Sequence, residues 1–352
     1  MEIVGAMDLH RNQITFRWED MRTGEVERGR IPALRQPVRE WLGRFQGRDA
    51  HFALEGTTGW RYVVEELEAV GLTAHLADPA ETHNRRGPKR RAKTDKADCE
   101  LLAKLLIEER LPESWIPPRH MLDLRTLVRM RCALVEQRSQ WQNRIHAQLF
   151  HQGLSKVNFK TAMARAMLAE AELSPAGQVL VKTGIAMIEF VDHQLEPLDR
   201  RLRLFSARQP GCRALQASLF GVGPVVSVAL VAELGDCRRF SSSDDAVRHS
   251  GLDVTVYQSD GKRASGRISH QGPSVLRWAL YEAAQSAARR NSPDHDYYLK
   301  IKSRIDHQRA CLSVARKLCR RSFHILRALG DEAMAPVEGW LDESLLPASV
   351  AA

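Results

Sequence analysis

Apolar positions over the first 78 residues switch repeatedly between the two-residue period of a strand and the 3.6-residue period of a helix. Residues 3–8 are an apolar run that ends in Asp8, the pattern of a buried strand. Ile14, Phe16 and Trp18 alternate with polar neighbours, which predicts a half-buried second strand. Arg22, Thr23 and Gly24 mark a turn, and 25–31 reads as a third strand. Val38, Trp41, Leu42 and Phe45 share one face of a helix over 36–46. A strand at 51–55, a helix at 60–70 and a strand at 73–77 follow. Thr94 is suited to cap a helix running to Glu109, with Leu101, Leu102, Leu105 and Leu106 on its buried side.

Pro112, Pro117 and Pro118 close this first unit. Beyond them Val181, Ile188, Val191, Leu195, Leu198, Leu202 and Phe205 are spaced as a coiled-coil seam requires, and Pro197 should kink that helix or move its start. Leu124, Leu127, Leu134, Trp141, Ile145 and Leu149 form a second stripe. The stripes pack against each other within one chain or join two chains. A third region begins near Gly211. There Leu219, Gly221, Val222, Gly223 and Pro224 read as the turn of a helix-hairpin-helix element, either a tight connection or a place where backbone N–H groups meet a nucleic-acid phosphate. A polar stretch at 250–272, a small-residue helix at 275–289 and a basic helix at about 307–328 complete it. The predicted divisions are 1–112, 113–206, 207–330 and a disordered acidic tail at 331–352. The class is α/β plus α. Three hairpin-connected strands followed by alternating helices and strands are the order of an RNase H-like fold.

That order gives meaning to four carboxylates. Asp8 and Glu55 end apolar strands, and Asp95 and Asp98 stand one turn apart in the segment KTDKAD at 93–98. Carboxylates from two strand ends and one helix face can hold a pair of divalent cations about 3.5–4 Å apart, the arrangement that clamps both oxygens of a phosphoryl transfer. Mg²⁺ suits such a site, because water and substrate phosphates complete its shell. For Asp95 and Asp98 the competing reading is a favourable interaction with the helix dipole.

Charge narrows the partners. The formal balance over 352 residues is +9, which favours polyanions. Arg85, Arg86, Lys89, Arg90, Arg91, Lys93 and Lys96 cluster immediately before and within the KTDKAD segment, as phosphate contacts would. Past Gly330 every charge is negative. The six cysteines form no CxxC pair and read as reduced thiols in a cytoplasmic protein. Neither a membrane span nor a signal peptide is indicated.

In the 250–272 stretch, Ser259 is followed by Asp260, Gly261, Lys262 and Arg263, with Arg267 and His270 nearby. A serine hydroxyl needs a base or metal to become a nucleophile, and cations beside it would stabilise charge on an attacked phosphate. With LFGVGP at 219–224, FSSSDDAVRHSGL at 240–252 and GRISHQG at 266–272, these blocks resemble transposases of the insertion sequence 110 family, which are related to the Piv/MooV invertases. The resemblance covers nearly the whole chain. It implies a RuvC-like DEDD domain with Asp8, Glu55, Asp95 and Asp98 holding one or two Mg²⁺ ions. It further implies a C-terminal domain whose Ser259 attacks DNA, and a bridge RNA that pairs with target and donor DNA. Dimers pairing into a tetramer are part of the same expectation. Nucleic acid would meet the Arg85–Lys96 cluster, Gly221, Gly223, Lys262, Arg263 and Arg267. Val254, where proline is common in the family, and Asp260 beside the serine depart from the pattern, so Ser265 and Ser269 are the alternatives to Ser259. The rival functions are a Piv-like invertase, a metal-dependent structure-specific nuclease without serine chemistry, and a catalytically idle nucleic-acid-binding protein.

Overall fold

A computed structural model describes residues 1–341 except 86–93, 160, 162–165, 169–170, 255–257, 260–261 and 264–265, with only the backbone of 258, 259, 262 and 263. The chain divides into two compact units, Met1–Ile116 and Pro117–Ala352.

The first unit is a five-stranded mixed sheet. Its strands are β1 (Ile3–Leu9), β2 (Gln13–Asp20), β3 (Val26–Pro32), β4 (Ala50–Glu55) and β5 (Thr73–Ala77), in the order β3-β2-β1-β4-β5. The first three pair antiparallel, while β1, β4 and β5 run parallel. Helices α1 (Arg35–Leu42), α2 (Trp60–Ala69), α3 (Pro79–Asn84) and α4 (Asp95–Ile107) complete it. Alternation along the strands sorts side chains onto two faces. Ile3, Met7, Ile14, Phe16, Trp18, Phe52 and Leu54 build one core with α1 and α2. Phe52 is fully buried at its centre, with Trp41 and Phe45 rings 5.7 and 5.3 Å away. The other face carries the small residues Ala6, Ala53 and Ala77, against which Cys99, Leu102 and Leu106 of α4 pack. That close packing brings the start of α4 to the carboxyl ends of β1 and β4.

The sequence expectation lacks α3. Asp78 caps it by accepting from Ala80 and Glu81 N–H, both at 2.9 Å, and Pro79 begins it without a wasted donor.

In the second unit α5 (Arg119–His151) and α6 (Pro175–Arg208) lie antiparallel: Arg131 pairs with Asp199 and Arg138 with Asp192, advancing in opposite directions. Pro197 lies inside α6, which continues through it. The seam from Val181 to Phe205 is buried within the chain, its lower part against Ile145 and Leu149 of α5 and its upper part in the C-terminal core. This corrects the expectation that the seam supplies a dimer interface, because its apolar area is already covered. The same packing merges the helical stretch with the region after 207.

Helices α7 (Pro210–Ser218), α8 (Pro224–Leu234), α9 (Ser243–Ser250), α10 (Ser274–Gln285), α11 (His295–Lys302) and α12 (His307–Leu329) build that core around α8. Every residue of α8 from Val226 is buried, as expected of a helix apolar all round. Its one acid, Glu233, is fully buried and ion-paired with Arg129 at 2.9 Å and Arg125 at 3.8 Å. After Gly330, Ala333 and Trp340 are buried, with the Trp340 ring 5.0 Å from Phe205. The expected disordered tail is therefore ordered at its start, and 342–352 lie outside the described residues. All six cysteines are free thiols. Among the described residues no helix is long and apolar enough to cross a membrane.

Candidate functional site

Strand register decides which acids meet. The parallel pairing of β1 with β4 runs from Ile3 opposite Ala50 to Met7 opposite Leu54, so Asp8 and Glu55 occupy the next step at the carboxyl ends. Carboxyl ends of parallel strands are where open α/β sheets bind ligands. Asp8 and Glu55 alternate with Met7 and Leu54 of the aromatic core, and so belong to the α4 face. Thr94 caps α4 by accepting from Ala97 N–H at 3.3 Å, which fixes Asp95 and Asp98 in the first turn.

One ligand atom from each of Asp8, His10 and Asp95 lies within 4.8 Å of the other two. His10 Nε2 stands 3.1 Å from Asp8 Oδ2 and 3.3 Å from Asp95 Oδ1. Burial pushes the Asp8 carboxyl above its ordinary range; the like charges of Asp98 and Asp95 add to this, while His10 opposes it. Asp98 thus acts on Asp8 electrostatically without belonging to the closest set. Glu55 is brought beside Asp8 by register alone. The carboxylate oxygens are donors for a hard divalent cation such as Mg²⁺ or Mn²⁺, and an imidazole nitrogen among them favours a transition metal over Mg²⁺. His10 is absent from the sequence expectation. Its signal is the spacing Asp8-Leu9-His10, which returns to the same face after two residues.

Arg86, Lys89, Arg90, Arg91 and Lys93 fall outside the described residues, as do Asp260 and Ser265. Arg85 donates to the Arg110 carbonyl at 2.8 Å, and Lys96 is exposed on α4. In the second unit, β6 (Gln258–Ser259) and β7 (Lys262–Arg263) form a short antiparallel pair that sets Ser259 opposite Lys262. Ser269, half-buried, donates its hydroxyl to Asp253 Oδ1. Arg267 is exposed. Gly221 adopts φ +85°, and a Cβ there would come within 2.6 Å of the Ala283 carbonyl oxygen, so its lack of a side chain serves packing on α10. Gly223 faces open space and opens α8.

Comparison with known proteins bears on both units. Residues 6–151 match a sequence model of IS110 DEDD transposases, described as "Transposase", and 213–299 match "Transposase IS116/IS110/IS902 family". The chain belongs to the IS110 family of transposases. The first of these regions contains Asp8, Glu55, Asp95 and Asp98, and the second contains Gly221, Gly223, Ser259 and Arg267. The chain is 28% identical over 241 residues to "Putative transposase y4rJ" of Sinorhizobium fredii, covering 62% of this chain and 60% of that protein. It is 24% identical over 286 residues to "Probable family 20 transposase" of Pseudomonas aeruginosa, covering 79% and 82%. Against "Transposase for insertion sequence element IS1328" of Yersinia enterocolitica it is 25% identical over 237 residues, covering 66% and 69%. This member of the IS110 family thus spans less than two thirds of the Sinorhizobium protein.

Proposed function

We propose that this chain is an RNA-guided DNA transposase that cuts and rejoins target and donor DNA through a phosphoserine intermediate at Ser259. The observation that carries the reading is the convergence of Asp8, His10 and Asp95 at the carboxyl end of β1, with Asp98 and Glu55 adjoining, in a chain of this family. The order β3-β2-β1-β4-β5 supports an RNase H-like, RuvC-like assignment for the first unit. Asp8, Glu55, Asp95 and Asp98 would hold one or two Mg²⁺ ions, which would withdraw charge from a DNA phosphate when bound. Asp8 and Asp95 orient the nearby nucleic-acid strand through that site, while His10 holds both carboxylates in place.

At Ser259 the hydroxyl oxygen bonds to phosphorus as the bond to a deoxyribose oxygen breaks. The serine proton ends on the departing deoxyribose hydroxyl. The phosphoserine ester conserves the bond energy, so a new deoxyribose hydroxyl can displace the serine and no ATP is required. Lys262, opposite Ser259 in the β6–β7 pair, and Arg263 next to it bring cations to the charge that develops. Nothing in the described helices reads as a major-groove recognition module, which favours guidance by base pairing with a bridge RNA held through its backbone. Two duplexes cut on both strands need several serines, so copies of this chain assemble.

The test is a two-site plasmid recombination assay with the full chain and its element-derived RNA. The wild type should yield a denaturation-resistant protein–DNA adduct, and Ser259→Ala should yield neither adduct nor product. Wild-type recombination by Ser259→Ala would sink the serine assignment. Loss of the adduct in Ser269→Ala alone would transfer it to the hydroxyl already hydrogen-bonded to Asp253.

A further inference from the structure

A second feature lies on the same face of the sheet, across β1, β2 and β3. Asp8 is the register partner of Thr15, and Thr15 is the partner of Arg30, so one rung runs Asp8–Thr15–Arg30. The adjacent rung on this face runs Ala6–Arg17–Arg28. The start of α4 adds Lys96. Thr15, Arg17, Arg28, Arg30 and Lys96 line a pocket of about 220 Å³. That volume is smaller than the roughly 300 Å³ at which small-molecule sites begin, and it has room for one phosphate group together with water.

The pocket has more cation than its own acids neutralise. Arg17 pairs with Glu19 at 2.5 Å and Arg28 with Glu100 at 3.0 Å. No acid among the described residues pairs with Arg30 or Lys96. Two buried polar atoms at its wall also lack partners. Thr15 is 7% exposed, and its Oγ1 has no hydrogen-bond partner among the described residues; the same holds for Arg17 Nε. Buried hydroxyl and guanidinium donors are rarely left unmade without a reason. Both atoms are closed off from solvent, so an anion with several acceptor oxygens would reach them only after a small side-chain shift.

We propose that this pocket binds a backbone phosphate of the nucleic-acid strand that places a nearby phosphate at Asp8. Strands stand about 4.8 Å apart, so Arg30 and Asp8 are separated by about 10 Å along the rung. The pocket phosphate is therefore within one or two nucleotides of the one at the carboxylates, and it fixes the strand's direction across the sheet. Cation and carboxylate at opposite ends of one rung keep the anion from settling at the wrong end. This inference rests on the nucleic-acid reading above.

The test uses the full chain and a fluorescent mixed-sequence single-stranded oligonucleotide, with affinity measured by anisotropy at several salt concentrations. Each phosphate contact on a single strand contributes about −0.7 to the slope of log K against log salt. Arg30→Gln/Lys96→Gln removes the cations that hold this one phosphate and should make the slope less negative by about 0.7. Both residues are surface side chains, so the circular dichroism melt should match wild type. Thr15→Val, nearly isosteric, should weaken oligonucleotide binding without lowering the melting temperature. An unchanged slope in the double variant, with wild-type affinity intact, overturns the pocket and leaves the functional reading standing. Failure of the wild type to bind any oligonucleotide overturns both. Inorganic phosphate that fills the pocket while the DNA slope stays unchanged would make the ligand a free anion and also overturn the proposal.

Discussion

His10 Nε2 lies 3.1 Å from Asp8 Oδ2 at the carboxyl end of β1, within the candidate metal cluster. The same nitrogen is 3.3 Å from Asp95 Oδ1 on α4, so the imidazole holds two carboxylates that would otherwise repel. Removing it should cost metal affinity more than stability. His10→Ala is expected to weaken Mn²⁺ binding by about tenfold, and Asp8→Asn by more, as read by titration calorimetry on the full chain. Equal affinities for wild type and His10→Ala would remove His10 from the site.

Much of this site was legible because two periodicities do different jobs. The apolar runs at 3–8 and 51–55 and the Thr94 cap predict Asp8 and Glu55 at strand ends and Asp95 and Asp98 in the first turn of a helix, and the structure has these elements there. His10 was hidden because it follows the apolar run, where a polar residue ordinarily means solvent. The Asp8–Thr15–Arg30 rung was hidden for another reason: it depends on register between strands, which no single segment encodes. The seam at 181–205 was visible as a seam, but its partner was not. A heptad pattern says that a face is covered, not whether the cover comes from α5 or from another chain.

Acid should destabilise the second unit through His249. Burial pushes its pKa down from 6.5 to about 4; the Arg239 and Arg125 charges add to this, and the Glu233 carbonyl partly offsets it. The folded chain binds this proton more weakly than the unfolded chain does. Stability is therefore full above pH 6.5, falls as pH drops from 6.5 towards 4, and flattens below. The loss attributable to this group is at most about 3 kcal/mol. His249→Gln should flatten that window in urea titrations from pH 7.5 to 4.5. A profile as steep as wild type would assign the acid sensitivity elsewhere.

The two glycines before α8 should separate folding from binding. Gly221→Ala forces a side chain into φ +85° and against the Ala283 carbonyl, and should cost about 2–4 kcal/mol of stability. Gly223 has φ −89° and open space beside it, so Gly223→Ala should change stability by no more than about 0.5 kcal/mol. If the opening of α8 meets a phosphate, Gly223→Ala nonetheless weakens DNA binding in a gel-shift assay. Unchanged binding would confine this turn to packing.

If copies of this chain assemble as proposed, they use a surface other than the buried seam. Val179 and Phe190 are 66% and 57% exposed, and their eleven-residue spacing places them about three turns apart on one side of α6. That side faces away from the buried Val181–Phe205 seam, so it is free to meet a second copy. Phe190→Asp should leave the melting temperature within a few degrees of wild type, because the ring contributes little to the chain's own core. It should also convert the oligomer into a monomer by light scattering coupled to gel filtration. An unchanged oligomer would place the interface on another surface, and a monomeric wild type, with or without DNA, would remove the assembly requirement on which strand exchange by several serines depends.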